Sequence, residues 1–90
     1  MTQTDLILYA MLNNPQKELW YAKDFQKGKF FVGYEASARM SEIARLYFPM
    51  VITGQDGRYR TLSINWKKKR DIKHHIKRLN AIKEMLEKEN

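Results

Sequence analysis

Gly33-Tyr34-Glu35-Ala36-Ser37-Ala38-Arg39-Met40-Ser41-Glu42-Ile43-Ala44-Arg45-Leu46-Tyr47 is the stretch on which the fold turns. Apolar residues fall at Ala36, Met40, Ile43, Ala44 and Tyr47, the three-and-four spacing of one helix face. At about 100° per residue, the opposite face carries Ala38, Ser41, Glu42 and Arg45, with Ser37 and Arg39 on its flanks. That face is small, hydroxylated and basic. On its own it reads as an ordinary amphipathic surface helix. Its neighbours on both sides alter that reading.

Upstream, Thr2-Gln3-Thr4-Asp5 offers a helix start: Thr2 or Thr4 can cap, and Asp5 suits the positive end of the dipole. Leu6 to Leu12 is wholly apolar, and Asn13-Asn14-Pro15 is a stop. The spacing predicts a helix over about 4–13. Leu19-Trp20-Tyr21 suits a short strand or an anchor into the core. Ala22 to Lys27 reads as a short helix stopped by Gly28. Lys29-Phe30-Phe31-Val32 is a linker with apolar plugs, and Gly33 marks the turn into the long helix. A short helix, a turn and a longer helix make the order of a helix-turn-helix.

Downstream, Pro49 forces the long helix to end before it. Residues 50–53 and about 58–65 are β-prone and flank the glycine-rich turn Gly54-Gln55-Asp56-Gly57, so a hairpin is predicted. Leu62, Ile64 and Trp66 share one face of the second strand, with Arg58 and Arg60 nearer the tip. Trp20 and Trp66 read as core anchors. Lys67-Lys68-Lys69-Arg70 is a basic run. Beyond it Ile72, His75, Leu79, Ile82 and Leu86 repeat at alternating three- and four-residue steps, with Ile76 and Met85 beside the seam, over about two heptads. A helix over about 69–88 follows. Its stripe serves either a dimer, through Ile72, Ile76, Leu79, Ile82 and Leu86, or its own domain.

The totals narrow the function classes. Ninety residues allow one small domain with an appendage, here 1–66 and 67–90, and 43% hydrophobic residues suffice for a core. The chain has no cysteine, which removes disulfides and Cys-based metal sites and fits a cytoplasmic setting. No apolar run approaches the roughly 18 residues of a membrane span, and no basic region precedes the first apolar stretch, so neither a membrane span nor a signal peptide is expected. Net charge is +7, and residues 67–90, with nine Lys or Arg against four Asp or Glu, hold most of it. Such a surplus points to a polyanion partner, DNA, RNA or an anionic membrane, and charge alone does not choose among them. No nucleophile sits beside a histidine, and no phosphate loop, metal constellation or cofactor motif is present, so catalysis is not expected. Adjacent His74 and His75 point about 100° apart on a helix and cannot chelate one ion well.

The order helix, strand, short helix, long helix, hairpin resembles a winged helix-turn-helix domain, an α+β fold in which a three-helix bundle carries a β-hairpin wing. Here a basic amphipathic C-terminal helix follows. Trp20 to Phe25 looks like the strand-to-second-helix junction. Gly33 to Ile43 looks like the recognition helix, where an Arg-apolar-x-Glu-apolar segment such as Arg39 to Ile43 is common in the family. Thr53 to Arg60 looks like the wing. The likeness covers about residues 4–66 and is closest in look to small basic winged-helix proteins of phages and prophages. It implies a sequence-specific double-stranded DNA-binding protein acting in transcription regulation, as a dimer. Ser37, Ala38, Arg39 and Ser41 would lie nearest the base edges, with Arg39 making the bidentate contact. Arg45 would meet a phosphate, Arg58 and Arg60 would reach the flanking backbone or minor groove, and Lys67, Lys68, Lys69 and Arg70 would add phosphate contacts. Glu42 on the front of the helix favours the alternative, a protein-docking winged helix in a replication or transcription assembly.

Overall fold

The structure, a computed structural model, describes residues 2–26 and 36–88. It is α+β: helix α1 (Gln3–Leu12), a 3-10 turn (Ala22–Phe25), helix α2 (Ala36–Tyr47), strands β1 (Val51–Asp56) and β2 (Tyr59–Ile64), and helix α3 (Lys69–Lys88). The expected linker at 29–32 and the turn at Gly33 lie outside the described residues.

α1 is apolar almost all round, and a helix of that kind belongs inside. Ile7, Leu8, Ala10, Met11 and Leu12 are all buried. Around it close Ala36, Met40 and Ile43 of α2, Met50, Val51 and Leu62 of the hairpin region, and Trp20 and Phe25. Of the two expected caps, Thr2 is the one used: its Oγ1 accepts from the Asp5 amide at 3.2 Å. Thr4 touches only the Thr2 hydroxyl, at 3.0 Å. Thr2→Ala is therefore expected to cost about 0.5–2 kcal/mol in chemical denaturation, and Thr4→Ala clearly less. At the other end, the side-chain amides of Asn13 and Asn14 donate to the Tyr9 and Ala10 carbonyls, at 2.8 and 2.7 Å. Asn14 thus satisfies the orphan Ala10 acceptor, while the Tyr9 carbonyl also takes the Asn13 backbone amide, at 3.1 Å.

Of the expected short helix at 22–27, Ala22–Phe25 form a single 3-10 turn, and Lys27 and the stop at Gly28 lie outside the described residues. The Asp24 carboxylate accepts the Tyr21 amide at 2.8 Å, and Phe25 is buried against Trp20 with ring centroids 5.3 Å apart. One anchor at each end fixes four residues and leaves no apolar face to extend. Trp20 is the anchor of the sequence reading, and in place of a strand it forms an isolated bridge. Its N–H and C=O pair with Leu62, each at 2.9 Å, and its ring is buried.

β1 and β2 pair antiparallel, from Val51 opposite Ile64 to Asp56 opposite Tyr59. The ladder therefore runs through Gly54, Gln55 and Asp56, which the sequence placed in the turn. The turn itself is Gly57-Arg58. Gly57 has φ 62°, the positive value that a two-residue hairpin loop demands at its first central position. Gly54 is needed for a different reason: a Cβ there would lie 2.8 Å from Thr61 Oγ1 across the ladder. Trp66 departs from expectation. The strand stops at Ile64, and Asn65 turns the chain into α3, its side chain and carbonyl accepting the Lys67 and Lys68 amides. Trp66 thus drops out of the alternation and is 38% exposed.

α3 spans 69–88, as the heptad spacing predicts, and the first part of its stripe faces its own domain. Ile72 and Leu79 are buried in the same core as α1 and α2, and Ile76 packs against it. The candidate dimerisation residues Ile72 and Leu79 are thus consumed within the chain. Leu86, at the far end, is 42% exposed. The reason is α1, whose apolar girth needs a cover on this side.

Arg78 locks the docking. Its guanidinium donates to Asp5 on α1 (3.2 Å), to the Tyr47 hydroxyl on α2 (3.4 Å) and to His75 Nδ1 (3.2 Å). The His75 ring also meets Tyr47 edge-on, centroids 4.9 Å apart. Burial first, then Arg78 and His74, push the His75 pKa below its usual 6.5, while Asp71 and Asp5 pull the other way. The unfolded chain therefore binds a proton at His75 more readily than the folded one. Its stability contribution is complete above pH 6.5 and declines as pH falls below that value. Thermal stability is expected to fall between about pH 7 and 5, and His75→Gln should flatten that slope. An unchanged slope would remove His75 from the docking.

Candidate nucleic-acid interface

α2 owes its exposed face to the same spacing that buries Ala36, Met40 and Ile43. Ser37 and Ala38 are exposed, and Ser41 is half-buried. Ser37, Ala38 and Ser41 make a slim strip along this front, and Glu42 and Arg45 stand beside it. The hairpin stands beside it. Arg60, on β2, donates to the Ser41 hydroxyl, and Ser41 in turn donates to the Ser37 carbonyl at 3.3 Å. On the other side the Tyr21 hydroxyl donates to Asp56 at 2.6 Å, tying the hairpin to the segment before the 3-10 turn. That bond, followed by burial and the charges of Asp56 and Asp24, pushes the Tyr21 phenol pKa up.

The result is a cleft of about 910 Å³ between α2, the 3-10 turn and the hairpin. Ser37, Ala38 and Ser41 form one wall, and Arg58 and Arg60 another. Lys23, whose ammonium lies 5.4 Å from the Tyr21 ring centroid, closes the third side. Among the described residues that line it, three cations stand against one acid, Asp56, and a concave surface strengthens the positive field they set up.

Five residues singled out from the sequence therefore meet here: Ser37, Ala38, Ser41, Arg58 and Arg60. The others do not line the cleft. Arg39 lies on the opposite flank of α2 and is paired with Glu42 one turn on, at 3.0 Å. Its Nε is buried and has no partner among the described residues. An arginine held in this way is a poor reader of a base edge. Arg45 is exposed near the end of α2, and Lys67, Lys68, Lys69 and Arg70 are exposed at the start of α3. The sequence reading gave no site role to Lys23, Asp56 or Tyr59. Of these, only Asp56 carried a signal, as the acid at the hairpin tip. The Tyr21–Asp56 bond joins residues far apart in the chain and leaves no local pattern.

Compared with known protein families, curated proteins and solved structures, the chain has no match.

Proposed function

We propose that the chain is a duplex-DNA-binding protein of winged helix-turn-helix type, acting as a sequence-specific transcription regulator. α2 enters the major groove by its slim front, and the β1–β2 hairpin serves as the wing on the flanking backbone. One observation carries this reading: Arg58 and Arg60 of the hairpin converge with Ser37, Ala38 and Ser41 of α2 on one positively charged cleft. A major groove about 12 Å wide admits a helix, and the small side chains of Ser37, Ala38 and Ser41 let its backbone come close to base edges. The net charge of +7 supplies the attraction to phosphate.

The roles differ from the sequence expectation at two residues, Arg39 and Lys69, the latter standing apart from the DNA contacts. Arg39 holds the flank of α2 through Glu42, and the contacts to base edges belong to Ser37, Ala38 and Ser41, with Arg45 on a phosphate. Arg58 and Arg60 meet the backbone beside the groove. Lys67, Lys68 and Arg70 add phosphate contacts without sequence information. A second reading, a protein-docking winged helix, draws support from Leu46 and Phe48 at the end of α2, which are 54% and 73% exposed.

Selection from a random duplex pool at several salt concentrations tests the proposal. Enrichment of a motif, with affinity falling steeply as salt rises, is the expected result. Salt-sensitive binding without enrichment would overturn sequence specificity. No binding at low salt would overturn DNA binding and leave the docking module.

A further inference from the structure

One flank of α3 is left outside both the core and the cleft. Lys69, Lys73 and Lys77 stand on it four residues apart, about 6 Å from one to the next along the axis. All three are exposed, and none is in an ion pair among the described residues. Like charges at this spacing weaken a helix. Farther along, the same flank carries Asn80, then the acids Glu84 and Glu87. A shallow groove of about 850 Å³ follows the flank from Trp66 to Glu84, floored by Ile76 and Ala81. Basic at its start and acidic at its end, this surface is the complement of its own reverse.

We infer that two copies of the chain pair antiparallel through this flank of α3. A two-fold axis near residues 78 and 79 sets Lys69 opposite Glu87 of the partner subunit and Lys73 opposite Glu84 of the partner subunit. Lys77 lies beside Asn80 of the partner subunit next to the axis. The contacts are isologous, so each ion pair occurs twice. A parallel pairing would stack lysine row on lysine row, so charge selects the orientation. Glu87 already has one cation near it, Lys83 at 4.0 Å, in an exposed pair that a second cation joins without rearrangement. The 20-residue helix gives about 30 Å of contact length. Trp66 and Ile76 lose water when the groove is filled. The core stripe of Ile72 and Leu79 stays where it is, so pairing requires no unfolding. This inference is independent of the DNA reading, because no residue of the cleft takes part.

Sedimentation over a range of concentrations at low salt tests it, with Lys73→Glu, Glu84→Lys and their equimolar mixture. The wild-type chain is expected to approach twice its 10.8 kDa mass as concentration rises. Each single variant sets like charges against each other and is expected to stay monomeric. The mixture restores both pairs and is expected to regain the dimer. The same holds for one chain carrying both substitutions, which also guards against a single variant that folds poorly. A wild type that stays monomeric at every concentration would overturn the inference. So would single variants that dimerise like wild type, or a mixture that fails to recover.

Discussion

Leu79→Ala is expected to lower the unfolding free energy by about 2–5 kcal/mol. Leu79 has no exposed surface and lies in the core that α1 and α2 share. Removing most of its side chain costs both the transfer term and the cavity left behind. The effect should appear as one cooperative transition shifted to lower denaturant, because α3 and the rest of the chain share that core. Leu86→Ala is the contrast. Leu86 lies on the same heptad stripe but is 42% exposed, so its loss should be much smaller. If α3 were an appendage, Leu79→Ala would melt only the helix and leave a second transition unchanged.

Arg58→Ala together with Arg60→Ala is expected to weaken binding to all duplexes alike. It should reduce the slope of log affinity against log salt by about one per arginine. Both side chains are exposed, so folding should hardly change. Their value lies in where the hairpin holds them. Arg60 rests on Ser41, at the front of α2, and the Tyr21–Asp56 bond steadies the opposite side. Arg39→Ala separates the two roles of arginine on this face. With Arg39 engaged by Glu42, its loss should leave the salt slope unchanged. A lower slope in Arg39→Ala than in the double variant would reverse the assignment.

Local signals in the sequence led to the elements, and tertiary context decided how they are used. Thr2, Asn13 and Asn14 announce the ends of α1 because caps act within one turn. The three-and-four spacing of 72–86 announces α3 because it reflects helix geometry alone. Periodicity says that a stripe is buried and not what buries it. The same residues could therefore pair with another copy or with α1, and the apolar girth of α1 decided. The short helix proved to be one 3-10 turn because Asp24 and Phe25 fix both its ends, which no propensity records. Trp66 looked like strand core by alternation, but Asn65 had already turned the chain. Of the cleft, the two hairpin arginines and the serines of α2 were legible as separate groups. Their meeting was not, since Tyr21, Asp56, Ser41 and Arg60 come together only through packing. The Arg39–Glu42 pair was visible at its spacing of three, and the competition it sets up with a base contact follows only from its burial.

Amide chemical shifts followed while a duplex is added at low salt test whether DNA docks at the cleft. Perturbations are expected to concentrate at residues 37–41, at 45, and at 58–60, fading as salt is raised. Perturbations centred on Leu46 and Phe48 or on the flank of α3, with the cleft silent, would contradict it.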